Sequence, residues 1–180
     1  MGSKASGGLL LLAGLFFSAT AMARLTQNDE VASLINKRLS YMKDVAGYKA
    51  NNHLAIEDLP QEARVLSSSV LEAEKLRLEG ESVKPFIQAQ MDAAKAIQYR
   101  YRADWLSVPE KGWQPASLEQ VRSKISVLNT DILTDVSTKL SKGERFNDKT
   151  SFIQQLDQTH LKASDKERLW YSLKQITLKK

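Results

Sequence analysis

Three stretches of this chain repeat apolar residues at helical spacing, and each stripe is interrupted by an isolated cation or amide. The first runs Arg38, Met42, Val45, Lys49; the second Met91, Ala94, Gln98, Tyr101, Trp105; the third Leu118, Arg122, Ile125, Leu128, Ile132, Val136. At 3.6 residues per turn, positions 38 and 49 return to nearly the same face. Such a pattern requires helices packed through their apolar faces, and it turns Arg38, Lys49, Gln98 and Arg122 toward the packed side. A charge taken out of water is costly unless it is paired. Any one of these residues can be explained as a long side chain snorkelling to the surface. Four on three stripes are more economically explained by a small, multiply charged anion bound among them.

The rest of the chain fits an all-α bundle of about six helices. Residues 29–51 predict one long helix, with Val31, Leu34, Ile35, Met42 and Val45 on its apolar face. Asp58 is placed to cap a second helix that tolerates Pro60 in its first turn and ends near Gly80. Residues 82–105 predict a third, with Pro85 in the first turn. Ser117 and Gln120 have the form of a capping box for a fourth helix reaching about Leu140, and Gly143 breaks it. Two short helices, 149–156 and 165–178, finish the chain, the last behind Ser164 and Glu167. No segment alternates with period two over a β-branched run, so no sheet is expected.

Residues 1–23 read as a secretory signal: Lys4, the apolar run Leu9 to Phe17, and the small-x-small sequence Ala21-Met22-Ala23. The expected mature domain is 24–180, periplasmic or secreted, and its formal charge of +5 falls to +4 once Lys4 leaves. No later apolar run approaches the roughly 20 residues of a membrane helix. The chain has no cysteine, so the core alone must hold an exported fold. Basic residues are scattered rather than massed beside exposed aromatics, which argues against nucleic acid. His53 and His160 lie in expected loops without a metal-ligand spacing, and the three tryptophans are read as packing residues.

The stretches MDAAKAIQYRYRADW (91–105), RLSYMKDVAGYK (38–49) and HLAIEDLPQE (53–62) together resemble the all-helical (AroQ-class) chorismate mutases, most closely their secreted gamma subclass. VRSKISVLNTDIL (121–133) is similar to the first-helix arginine motif of the short dimeric members. The resemblance implies rearrangement of chorismate, a dicarboxylate, to prephenate without cofactor or metal. An enzyme assists this pericyclic step by holding the reactive conformer and stabilising charge on the ether oxygen. By the same resemblance Arg38 and Arg122 bind the two carboxylates, and Lys49 reaches the ether oxygen and a nearby carboxylate. Gln98 donates to the ether oxygen, and Glu62 and Asp58 lie around the ring hydroxyl. One chain is expected to build a complete site; a homodimer is implied by analogy only.

Two positions depart from the family pattern. Ala94 stands where many relatives carry a hydroxyl, and Gln61 where they commonly carry arginine. Either Arg64 substitutes by reaching back or the site uses fewer cations. Two rival readings stay open on sequence: an isochorismate-pyruvate lyase using a similar pocket, and a non-catalytic periplasmic helical adaptor whose cations pair with a partner.

Overall fold

The computed structural model describes residues 19–180, with side chains described from Glu30 onward; residues 1–18, most of the expected signal, lie outside the described residues. Seven helices follow in order: α1 (Ala19–Ser40), α2 (Met42–Asn51), α3 (Leu59–Lys75), α4 (Gly80–Ser107), α5 (Leu118–Ser141), α6 (Lys149–Gln155) and α7 (Ala163–Lys174). Among the described residues there is no strand, only an isolated bridge between Leu78 and Leu178. The all-α expectation holds. The 28-residue α4 is the spine: α2, α3 and α7 pack against it, while α5 closes the other side against α1, α2 and α3. Phe86 and Ile97 of α4, Ile35 and Leu39 of α1, Ile132 of α5 and Leu169 of α7 are essentially free of solvent. Their burial, at roughly 1.5–3 kcal/mol each, drives association of the helices.

Five element boundaries correct the sequence reading. The single long helix expected over 29–51 is two, interrupted at Tyr41. The Ser40 hydroxyl there donates 2.7 Å back to the Lys37 carbonyl, a local bond that competes with the helical ladder. The second helix stops at Lys75 rather than near Gly80, because Arg77 takes the left-handed turn at φ 64°. Gly80 is instead the first residue of α4, where a Cβ would sit 2.8 Å from Glu74 Oε1. That early start puts Pro85 inside the helix rather than in its first turn. The last helix begins at Ala163, with Asp165 bonding back 2.9 Å to the Lys162 N–H in place of the expected Ser164–Glu167 box. It ends at Lys174, since the tail pairs with the α3–α4 loop through Glu79 N–H to Thr177 O and Lys179 N–H to Arg77 O, both 2.8 Å.

The loop between α4 and α5 sets where α5 meets α2. Trp113 lies over Gly47, where a Cβ would come within 2.6 Å of the indole. Trp113 also packs on Trp105 and carries Lys43 above its ring, and the Ala116 N–H bonds Asp44 at 3.0 Å. The Ser117 hydroxyl then caps α5 through the Gln120 N–H. Arg122, one turn into α5, is thereby carried to the α2–α3 junction.

Candidate active site

Where α2, α3, α4 and α5 converge there is a cavity of about 130 Å³ whose lining includes Arg38, Lys49, Asp58, Gln61, Glu62, Ala94, Gln98 and Arg122. Every residue expected in the site except Arg64 is therefore brought to one place. The walls between them are apolar: Met42, Val45, Val65, Met91, Leu118 and Ile125. A larger space of about 380 Å³ near the C-terminus has Arg145 and Lys174 but no such convergence of elements, so size alone does not identify the site.

Arg38 is 5% exposed, at the end of α1. Its Nε donates 2.8 Å to Asn129 Oδ1 and its Nη1 3.4 Å to the Gln90 carbonyl, and among the described residues it has no carboxylate in ion-pair reach. Burial pulls its guanidinium down to about 10, still charged at neutral pH. Lys49, 6% exposed, donates to the Ile56 carbonyl, which folds the α2–α3 connector over the cavity. Desolvation lowers Lys49 from its ordinary value and Arg122 adds repulsion, while Asp58, Glu62 and Glu57 act the other way.

Gln98, 5% exposed, gives its amide N–H groups to its own helix at Ala94 O, 3.1 Å, and to the Met42 thioether, 3.7 Å. Sulfur is a weak acceptor, so this donor is poorly used. Among the described residues Gln98 Oε1 is buried without a partner, which is costly in a closed core and unsurprising in a binding cavity.

Arg122 departs from the expectation of a core-facing cation. Its side chain is 43% exposed at the cavity mouth and already donates to Asp58 Oδ2 at 2.9 Å. Asp58 meanwhile caps α3 through the Gln61 N–H, as its sequence position suggested. Arg64 does not line the cavity. Its guanidinium holds Gln61 Oε1 at 2.8 Å and lies in an adjoining groove with Ser68 and Asn129. His160, expected to be a simple surface residue, is held 3.2 Å from Asp104 and edge-on to Tyr101, away from the cavity.

The sequence reading missed Lys95, which lines the cavity beside Ala94 and donates 2.8 Å to Glu62 Oε2. Its position is one residue off the α4 stripe. The available signal was that a long side chain flanking a buried stripe can lay its head over the cavity edge. With Lys95, four cations face two carboxylates. The arrangement can hold a compact dianion, and it presents an ammonium and an amide donor from the floor of an apolar slot.

The family described as chorismate mutase type II matches residues 26–99, a span that contains Arg38 through Gln98 and stops short of Arg122. The chain is 50% identical over 174 residues to a secreted chorismate mutase of Yersinia pestis, covering 96% of this chain and 93% of that protein. It is 41% identical over 171 residues to a monofunctional chorismate mutase of Enterobacter agglomerans, covering 93% and 94%. The crystal structure of the secreted chorismate mutase from Yersinia pestis superposes with a TM-score of 0.81 at 52% identity, over 83% of this chain and 98% of that one. A chorismate mutase structure from Burkholderia thailandensis, at 20% identity and TM-score 0.67 over 82% and 97%, shares the fold.

Proposed function

The chain belongs to the chorismate mutase type II family, and from that premise we propose that its α2–α5 cavity performs the rearrangement of chorismate to prephenate on an exported protein. The observation that carries the reading is Arg38, a buried cation whose partners among the described residues are neutral oxygens. Keeping such a charge in the fold is a standing cost, and a carboxylate bound in two-pronged fashion offsets it.

In this reading Arg38 takes one substrate carboxylate from the floor of the cavity and Arg122 takes the other at the mouth. Arg122 has donors to spare beyond the one given to Asp58. The two anchors hold the enolpyruvyl chain over the ring, which converts binding energy into orientation. As the C–O bond breaks, negative charge collects on the ether oxygen. Lys49 retains two ammonium donors beyond the Ile56 carbonyl, and Gln98 exchanges its thioether contact for that oxygen. Glu62 and Asp58 accept from the ring hydroxyl. Ala94 supplies shape but no hydrogen bond, and Gln61 supplies no charge.

Export follows from the signal form of residues 1–23, with cleavage after Ala23, and from likeness to a protein named as secreted. No described helix is long and apolar enough to cross a membrane. The test is to incubate the mature protein separately with chorismate and isochorismate and identify products by NMR. Prephenate from chorismate is expected. Pyruvate release from isochorismate without prephenate formation would assign the cavity to elimination instead.

A further inference from the structure

The cavity holds two carboxylates of its own, and a dicarboxylate must enter it. Were Arg38, Lys49 and Arg122 its only cations, their surplus over Asp58 and Glu62 would be a single charge, one short of a dianion. Lys95 makes up the difference. We propose that Lys95 is a positioning residue for the chorismate site, whose ammonium neutralises and aims Glu62 so that a cavity lined by carboxylates still admits a dianion. The inference rests on the reading of the cavity as a chorismate site.

The geometry is specific. Lys95 Nζ lies 2.8 Å from Glu62 Oε2 and 3.6 Å from Asp92 Oδ1. Asp92 is already occupied by Gln88 Nε2 and Arg168 Nη2, each at 2.9 Å, so the short Lys95 bond belongs to Glu62. The other Glu62 oxygen accepts the Asp58 N–H at 3.3 Å. Both Glu62 oxygens are thus fixed, one from α4 and one from the start of α3, and the same Asp58 reaches Arg122 across the mouth. Lys95 is only 23% exposed, so little solvent screens the pair, and its Glu62 bond holds it above the ordinary lysine value, keeping it charged. On α3, Gln61 is neutral and Arg64 is committed outside the cavity. The charge missing from α3 is supplied across the cavity by α4.

The experiment measures kcat and KM for chorismate in the wild type, Lys95→Met, Lys95→Arg, Glu62→Gln and the double variant Lys95→Met/Glu62→Gln, with folding followed by circular dichroism. Lys95→Met should raise KM at least ~10-fold and change kcat less than ~3-fold, because it leaves a carboxylate facing the substrate dianion in ground and transition state alike. Removing that carboxylate as well should recover most of the KM, whatever Glu62→Gln costs in kcat by itself. Lys95→Arg, which keeps the charge, should stay within ~3-fold of wild type in KM. If Met at this cavity edge impairs folding, Lys95→Gln makes the same comparison. A Lys95→Met enzyme with wild-type KM would overturn the inference alone. So would a double variant no better than Lys95→Met, since Lys95 would then touch the substrate itself. A wild type that leaves chorismate unchanged would overturn the functional reading and this inference together.

Discussion

Arg38, Lys49 and Gln98 were legible because a helix converts spacing into direction: intervals of three and four residues put all three on buried faces, and each is at most 6% exposed. Arg122 sits on an equally regular stripe, yet in the first turn of α5 it is the neighbouring Val121 that is buried, at 1% exposed, and the Arg122 side chain ends 43% exposed on Asp58. Periodicity gives the face to within a residue and is silent on which flank of the stripe the neighbouring helices cover. Lys95 was invisible because its side chain reaches the cavity and Glu62 while its residue number falls between stripe positions. The electrostatics of the floor have a kinetic signature. Burial lowers Lys49 from its ordinary 10.5 and brings Arg38 to about 10, so raising the pH strips charge from the free cavity before ordinary surface lysines titrate. A bound dianion opposes that loss. We expect kcat/KM, which reports the free enzyme, to begin falling below pH 10 while kcat stays level over the same range. Steady-state kinetics from pH 6 to 10 check this. Parallel decline of both parameters would place the titrating groups elsewhere.

Caps and turns were the legible part of the elements, and interruptions were not. Asp58 and Ser117 cap the helices expected of them through the Gln61 and Gln120 N–H groups. The break at Tyr41 carries no glycine or proline, only a serine hydroxyl turned onto its own chain, and Gly80 reads as a stop in the sequence because a crowded helix start also excludes Cβ. One feature of the α1–α5 contact bears on stability. Asp135 on α5 faces Glu30 on α1, its Oδ2 is buried without a partner among the described residues, and desolvation with Glu30's repulsion pushes the carboxyl up to about 6. Lys139 and Lys142 offset part of this. A carboxyl that binds its proton more tightly folded than unfolded stabilises the protein below pH ~3.8, and that contribution is lost as pH rises through ~6. Asp135→Asn should therefore stabilise the fold at pH 7 by about 1 kcal/mol, after allowance for solvent screening of a half-exposed group, and by almost nothing near pH 4. Denaturant melts at the two pH values decide it. An equal effect at both would trace the change to something other than the charge.

At the scale of the molecule, the sequence indicated what kind of ligand the bundle holds before it indicated how the bundle is assembled. Lone cations on apolar stripes call for an anion whichever helices meet. That α4 is the spine, and that the tail pairs with the α3–α4 loop, depends on long-range packing that no local pattern encodes. The cavity is completed within one chain by α5, which lies beyond the span matched by the family. Mixing and refolding Lys49→Ala with Arg122→Ala should consequently restore no activity, whereas a site shared between subunits would regain up to about a quarter of it. In the proposed function Arg38 is kept buried for the substrate rather than for the fold. The variant that separates the two is Arg38→Met, assayed for chorismate conversion and melted in parallel with the wild type. Replacing an uncompensated buried charge by an apolar chain of similar reach should leave the melting temperature unchanged or higher, while kcat/KM falls at least ~100-fold, about 2.7 kcal/mol of transition-state stabilisation. A variant that melts many degrees lower, or one that converts chorismate as fast as the wild type, would contradict it.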